Sequence, residues 1–336
     1  MTEVNHQIKL AARPFGLPKE SDWERAETPI PSPGPGEVLT KIHYISVDPA
    51  MRGWMNDRPS YVPPVGIGEV MRALTVGEVI ASNNDGFAPG EFVAGIQGVQ
   101  EYALSDGAGL MKADLSLAPA PAWLNTLGIA GLTAYCGLIE VGQPKVGETV
   151  VVSGAAGSVG SHAGQIAKIK GCRVVGIAGG AEKCAYLTDE LGFDAAVDYK
   201  HQPVGAGLKQ ACPDGIDVFF DNVGGEILDA ALMLIKPFGR LALCGAISQY
   251  NVTDKPYGLR NAILLVPRRA RMQGFIYFDY RDKWPAMLED LAAWRADGRI
   301  SVRDDIVEGG VQTFPDTLLR LFRGENLGKL MIKIAG

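Results

Sequence analysis

Five uninterrupted apolar, β-branched runs, "ETVVVSG", "CRVVGIAG", "AAVDY", "IDVFFDNVG" and "GRLALCGAI", lie between residues 148 and 247. Helical patterns separate several of them: "SVGSHAGQIAKIKG" ending at Gly171, "AEKCAYLTDELG" ending at Gly192, and "GEILDAALMLIKPFG". A strand that is apolar along its whole length must be covered on both faces. Alternation of such strands with helices of about 10 to 15 residues therefore predicts a parallel sheet clad in helices, with right-handed crossovers. This pattern limits the chain's fold more than any other feature.

The first 125 residues follow a different rule. "EVLTKIHYISVDP" alternates, "ALTVGEVIAS" is strand-like, and "EFVAGIQGVQEYALS" contains two short strands. Pro- and Gly-rich clusters, "PIPSPGPGE", "DRPSYVPPVG" and "NNDGFAPGE", punctuate them. An all-β, barrel-like domain with long loops is expected over residues 1–125, followed by the β/α unit over 126–295. The last part reads as an amphipathic helix, "RDKWPAMLEDLAAWRADGRI", then strand, helix and strand in "VRDDIVEGG", "FPDTLLRLFRGEN" and "KLMIKIAG". Residues 296–336 are expected to fold back and complete the first domain, making the β/α unit an insertion.

With 336 residues, 47% of them apolar, the chain can bury two sizeable cores. A net charge of −6 excludes the clustered positive field that a nucleic-acid binder needs, and the short run Arg268-Arg269-Ala270-Arg271 does not overturn this. No apolar run reaches the roughly 18 to 20 residues that span a bilayer, and "MTEVNHQIKLAARP" has no apolar leader core. The five cysteines are odd in number and far apart, which fits reduced thiols in a cytoplasmic protein.

The turn Ala155-Ala156-Gly157-Ser158-Val159-Gly160, preceded by Gly154, fits a dinucleotide fingerprint with Ala in place of its first Gly. Small residues at a strand-to-helix turn let backbone N–H groups approach a pyrophosphate at the positive end of the helix dipole, and Gly160 allows close helix–strand packing. In an NAD site an acid about 20 residues further on holds the ribose 2′-hydroxyl. Here the second strand ends in Gly179-Gly180, and Lys183 follows one turn into the next helix. Glycine leaves room and lysine supplies a point charge for a 2′-phosphate, so the predicted cofactor is NADP(H). Tyr199, after the third strand, is placed to hydrogen-bond the same phosphate.

A structural zinc site needs closely spaced cysteines, and no pair of the five has the Cys-x2-4-Cys spacing. The first domain offers only His6 and His43, with no cysteine before Cys136. The residue pattern thus predicts metal-free chemistry. Hydride transfer to an isolated carbonyl then lacks a Lewis acid, whereas conjugate addition to an enone spreads charge onto an enolate oxygen that one or two hydrogen-bond donors stabilise. Tyr250 in "CGAISQYN" follows a strand's carboxyl end, where ligands sit in open α/β sheets, and is the candidate proton donor.

Taken together, "ISVDPAMRGWM", "GLTAYCGL", the stretch 150–180, "FFDNVGGEILD", "CGAISQYN" and "GENLGKLMIKI" resemble the zinc-independent medium-chain dehydrogenase/reductases. The likeness is to their NADPH-dependent alkenal double-bond and prostaglandin reductases, of the curcumin-reductase type, over nearly the whole chain. It implies a Rossmann-type doubly wound parallel sheet inserted into a GroES-like β-barrel domain. It also implies a homodimer that reduces the carbon–carbon double bond of α,β-unsaturated aldehydes and ketones. A quinone oxidoreductase or a non-catalytic NADPH-binding protein would share the same cofactor residues.

The resemblance assigns the pyrophosphate to Gly157, Ser158, Val159 and Gly160, and the 2′-phosphate to Lys183 and Tyr199. Asn222, then Cys244, Gly245, Ala246, Ile247, Ser248, Gln249 and Tyr250, would line the cofactor. Phe275, Ile276 and Tyr277 would lie near the nicotinamide, with Asn326 reaching from the last segment. On the residues alone, Asn222 equally fits an Asx turn and Asn326 a helix cap. Met51, Arg52, Tyr61 and Tyr257 are the expected substrate-pocket walls. Ala50 stands where relatives often carry an aromatic residue, which implies a wider cleft. Gly68 precedes Glu69 where zinc-containing relatives have histidine.

Overall fold

The structure, a computed structural model, describes residues 4–334. The chain divides into two compact units, residues 1–124 with 304–336, and residues 125–303.

The first unit begins with β1 (Val4–Leu10) and β2 (Trp23–Pro29), an antiparallel pair. β3 (Val38–Ser46), β4 (Leu74–Ser82), β5 (Phe92–Ile96), β6 (Tyr102–Ser105) and β7 (Met111–Lys112) follow, with α1 (Ala50–Trp54) between β3 and β4. Their alternation of inward apolar and outward polar residues suits antiparallel pairing over one core. Ile8, Leu10, Ile42, Ile45, Met51, Met71 and Leu330 are among the residues that fill it, and Trp23 meets Phe314 edge-on at 5.3 Å.

Two of the expected pocket walls are buried in this unit. Met51 is fully buried in this core, because the short α1 turns it inward against the sheet. Arg52 is also buried: its guanidinium donates to the carbonyls of Pro14 (3.0 Å) and Gly16 (3.1 Å) and to Asn56 Oδ1 (2.7 Å). It holds the Pro14–Gly16 loop, whose carbonyls would otherwise be buried without that charged donor. Arg52→Met is accordingly expected to lower stability by about 2–3 kcal/mol, a charged hydrogen-bond donor removed from buried acceptors, with the enone KM of the folded protein unchanged. Denaturant midpoints and steady-state kinetics on the same preparation check it.

The second unit carries a six-stranded parallel sheet in the order β10-β9-β8-β11-β12-β13. The chain enters through α2 (Ile129–Tyr135), which runs on as a π-helical stretch, Cys136–Gly142. Then come β8 (Thr149–Ser153), α3 (Ser158–Ile169), β9 (Arg173–Ala178), α4 (Ala181–Ala185), β10 (Ala195–Asp198), α5 (Val204–Ala211) and β11 (Ile216–Asp221). α6 (Gly225–Leu234), β12 (Ile235–Leu243), α7 (Leu265–Arg268), β13 (Arg271–Gly274) and α8 (Trp284–Ala296) complete it. β8 is buried along its whole length, as its unbroken Val run requires. The expected helix through "IKPFG" ends earlier: Ile235 already pairs with Ile216, and the register slips before Arg240 meets Val218.

Residues 297–303 stay with this unit. Ser301 N–H donates to Gln165 Oε1 (2.8 Å) while Gln165 Nε2 donates to the Ser301 carbonyl (3.0 Å), so the chain leaves the unit at Arg303.

The first unit resumes with β14 (Asp304–Val307), α9 (Phe314–Arg323) and β15 (Lys329–Lys333), giving a sheet in the order β14-β15-β3-β4-β5-β7 with β6 also on β3. Lys329 is almost wholly buried; its ammonium lies 2.5 Å from Ser46 Oγ and 2.6 Å from Asp48 Oδ1. That pair ties the return strand to the end of β3 and the turn leading into α1. Among the described residues, no helix is long and apolar enough to cross a membrane.

Candidate active site

The carboxyl ends of β8, β9, β11 and β12 bring most of the expected cofactor residues to one edge of the second unit's sheet. After β8 the chain turns at Gly154 (φ +58°), and Gly157 N–H closes the turn on the Gly154 carbonyl at 3.1 Å. Gly157 is the N-cap of α3 and brings no side chain to cap it, so the helix start offers backbone donors rather than a filled cap. A Cβ on Gly160 would lie 2.4 Å from the Gly154 carbonyl oxygen and 2.8 Å from Ala155 Cα. The turn and the helix therefore touch backbone to backbone. Ser158 Oγ contacts Asn125 Oδ1 at 2.8 Å. Val159, beside it, is half-buried.

β11 and β8 are joined at their tips by a network in which Asp221, not singled out from the sequence, is the hub. Ser153 Oγ donates to Asp221 Oδ1 at 2.6 Å, and Val223 and Gly224 N–H donate to the same carboxylate at 3.1 Å. The Asx turn that Asn222 could also have made is made by its neighbour. Asn222 instead donates its amide to the Ser153 carbonyl (2.7 Å), and its backbone N–H goes to Ser153 Oγ (2.8 Å). Burial pushes the Asp221 carboxyl up from the usual range, while the bonds to Ser153, Gly224 and Val223 oppose the shift.

The loop after β12 folds against this hub. Cys244 and Gly245 N–H donate to the Asp221 carbonyl (2.8 and 3.1 Å), Ile247 N–H to that of Asn222 (3.2 Å), and Ser248 N–H to that of Val223 (3.2 Å). Burial pushes the Cys244 thiol up to about 12, which removes it as a thiolate nucleophile at neutral pH. Ala246 N–H donates to Tyr250 Oη at 3.1 Å. An acceptor bond of this kind polarises the phenol and strengthens the O–H as a donor. Gln249 Oε1 accepts Tyr257 N–H at 2.7 Å.

Tyr257, an expected pocket wall, is half-buried and anchored by its hydroxyl. Its hydroxyl donates to Asp229 Oδ2 (3.1 Å) on α6, the same carboxylate that accepts Arg260 and Asn261 N–H (both 2.9 Å). The ring is a strut for the loop from Asn251 to Asn261. Beyond β13, Phe275 is buried edge-on against Phe220 at 6.0 Å, its ring over Gly137. Tyr277 stacks on Trp284 at 5.3 Å, with half-buried Ile276 between these two anchored aromatics.

At the tip of β9, a Cβ on Gly179 would sit 2.8 Å from Tyr199 Oη, so the absence of a side chain there is what seats the tyrosine. Lys183 lies in α4, which starts just after Gly180 (φ +100°). Asp198, a second residue overlooked in the sequence, accepts Gly180 N–H at 2.8 Å. Its signal was only its place at a strand end.

The remaining expected residues belong to the first unit. Asn326 does not cap α9; Gly324 (φ +64°) ends that helix, and Asn326 Nδ2 donates to the Gly328 carbonyl at 3.1 Å. Tyr61 Oη accepts Trp54 Nε1–H at 3.0 Å, and its half-exposed ring lines a cavity of about 430 Å³ with Asp57, Arg58, Val62, Pro63 and Pro64. His43 packs edge-on to Phe92 with Nε2 3.9 Å from Glu78 Oε2, and burial lowers its pKa. Among the described residues no three His, Cys, Asp or Glu side chains form a metal-ligating group.

These residues fit NADPH. The glycine turn packs main chain to main chain and leaves the start of α3 with uncapped backbone donors; β9 ends in Gly179-Gly180 with no acid of its own, the neighbouring Asp198 carboxylate being taken up by Gly180 N–H, Lys200 N–H and His201; and Lys183 and Tyr199 belong to the same corner of the sheet.

Residues 6–113 match the family described as the N-terminal domain of oxidoreductase, and residues 158–293 match the zinc-binding dehydrogenase family. The chain is 43% identical to the NADPH-dependent curcumin reductase of Escherichia coli K12, over 99% of this chain and 97% of that one. It is 40% identical to the NADP(+)-dependent 2-alkenal reductase of Nicotiana tabacum, over 98% of each. Among solved structures, CurA of Vibrio vulnificus in complex with NADPH superposes with a TM-score of 0.93 at 43% identity, over 98% of this chain and 99% of that one. The chain belongs to the medium-chain dehydrogenase/reductases, alongside their NADP-dependent curcumin, alkenal and prostaglandin reductases.

Proposed function

We propose that this chain is an NADPH-dependent reductase of the carbon–carbon double bond in α,β-unsaturated aldehydes and ketones. The observation that carries the reading is Tyr250: a phenol at the carboxyl edge of the sheet, with its oxygen already accepting Ala246 N–H, in a chain alike end to end to enone and enal reductases. When bound, NADPH supplies a hydride for the substrate β-carbon.

The protein's part is positioning and charge stabilisation. Gly157 to Gly160 hold the pyrophosphate on backbone donors, and Lys183 with Tyr199 receives the 2′-phosphate. Asn222 and the Cys244–Gln249 loop form the wall along the cofactor. Tyr250 donates its O–H to the substrate carbonyl oxygen, where negative charge gathers as the β-carbon gains hydride. The α-carbon then takes a proton from solvent and the carbonyl re-forms. A single well-placed donor of this type contributes about 10²- to 10³-fold in rate.

The working form is a homodimer in the cytoplasm, which light scattering and cell fractionation test directly. The decisive measurement of activity is NADPH consumption with a panel of enals, enones and quinones, with products identified by mass. The expected product is the saturated carbonyl compound, two hydrogens heavier than the substrate. Allylic alcohols as products, or quinone reduction with no saturated ketone from any enone, would overturn the assignment.

A further inference from the structure

The corner between β9 and β10 contains a bracket that the cofactor reading above does not use. Asp198 closes β10 opposite Ala178 of β9. Its Oδ1 accepts the N–H of Gly180 (2.8 Å) and of Lys200 (3.0 Å), and its Oδ2 lies 2.7 Å from His201 Nδ1. The next residue, Tyr199, donates its N–H to the Ala178 carbonyl (3.1 Å) and lays its ring on Gly179. The two glycines are thus held from the neighbouring strand, one through its N–H and one through its Cα face.

Two consecutive glycines lose more conformational freedom on ordering than any other pair, so a turn made of them is loose unless something ties it down. Gly180 is also in a conformation (φ +100°) that side chains rarely adopt, and α4 with Lys183 starts at the next residue. The direction in which Lys183 leaves the sheet therefore depends on how Gly180 is held. A carboxylate beside a phosphate site is ordinarily repulsive. Here, however, both oxygens are engaged by backbone N–H groups and His201, and the side chain is only 18% exposed. The hydrogen bond from Gly180 N–H, more than any other contact, holds the Asp198 carboxyl below its usual range, so it stays ionised and accepting.

We propose that Asp198 is a positioning residue for cofactor choice: by pinning Gly180 it fixes Lys183 relative to Tyr199 and so sets the preference for a 2′-phosphorylated nucleotide. This rests on the reading that Lys183 and Tyr199 receive the 2′-phosphate. A residue that only supported the fold would change the affinity of phosphorylated and unphosphorylated nucleotides alike.

The test compares binding of adenosine 2′,5′-bisphosphate and AMP by calorimetry in wild type, Asp198→Ala, Asp198→Asn and Lys183→Ala. Asp198→Ala is expected to cut the preference for the bisphosphate about tenfold, with the AMP affinity within about twofold of wild type, as for loss of one hydrogen bond to a charged group. Asp198→Asn, which keeps an acceptor oxygen, is expected to retain the preference. An unchanged preference in Asp198→Ala beside a reduced one in Lys183→Ala overturns the proposal and leaves the phosphate site standing. An unchanged preference in Lys183→Ala removes the site itself. Equal weakening of both nucleotides in Asp198→Ala, or an Asp198→Asn as impaired as Asp198→Ala, also overturns the proposal. Hydrogen exchange on the wild-type protein needs no variant: the Gly180 amide is expected to be protected at least about tenfold before nucleotide is added, and exchange at the solvent rate overturns the proposal.

Discussion

Gly160→Ala is expected to weaken NADPH binding by about a hundredfold and to lower the unfolding midpoint. The added Cβ would lie 2.4 Å from the Gly154 carbonyl oxygen, 2.8 Å from Ala155 Cα and 3.0 Å from the Gly154 carbonyl carbon. All three are main-chain atoms of the very turn that would cradle the pyrophosphate, so no rotamer change relieves the clash. Either α3 retreats from β8 or the turn opens, and both move the backbone donors. Overpacking against a rigid neighbour costs about 1–3 kcal/mol, and about 2.8 kcal/mol corresponds to a hundredfold in affinity. Gly157→Ala serves as the contrast. Its Cβ would approach the Gly154 carbonyl oxygen only to 3.3 Å at an ordinary φ of −83°, so the effect there should be several times smaller. Fluorescence titration with NADPH measures both. Wild-type affinity in Gly160→Ala would remove the glycine turn from the cofactor site.

Tyr250→Phe should lower kcat for enones by about 10²- to 10³-fold while leaving the NADPH dissociation constant within about twofold of wild type. The ring keeps its place and only the hydroxyl is lost. The transition state then develops charge on an oxygen without its donor, a loss of about 3–4 kcal/mol. One structural consequence accompanies it: Ala246 N–H no longer has the phenol oxygen as acceptor, which should cost about 1 kcal/mol of stability where water does not replace it. Thermal denaturation separates this cost from the catalytic one. If kcat is unchanged across pH, another group stabilises the enolate and Tyr250 is only a strut for its loop.

Several of the expected site residues find partners that no local pattern indicates. Arg52 was expected among the pocket walls; besides Asn56 one turn on, its guanidinium finds the carbonyls of Pro14 and Gly16, more than thirty positions earlier. Tyr257 likewise finds Asp229 across 28 positions. Asp221 and Asp198 went unnoticed because an acid at a strand end is commonplace, and their hydrogen bonds reach into neighbouring strands and turns. Met51 sits in a helix of five residues, too short for periodicity to tell its buried face from its exposed one.

Local order was legible without coordinates. Apolar runs, their helical spacers and the small-residue turn before α3 state which faces must be buried and where a backbone must come close, because those demands act between near neighbours. Partner choice was not legible. Which carbonyl satisfies Arg52, which carboxylate holds Gly180, and which strand Lys329 ties to Asp48 across 281 positions are decided only when the sheets assemble. A buried donor needs some acceptor, but only the long-range topology says which one lies within 3 Å.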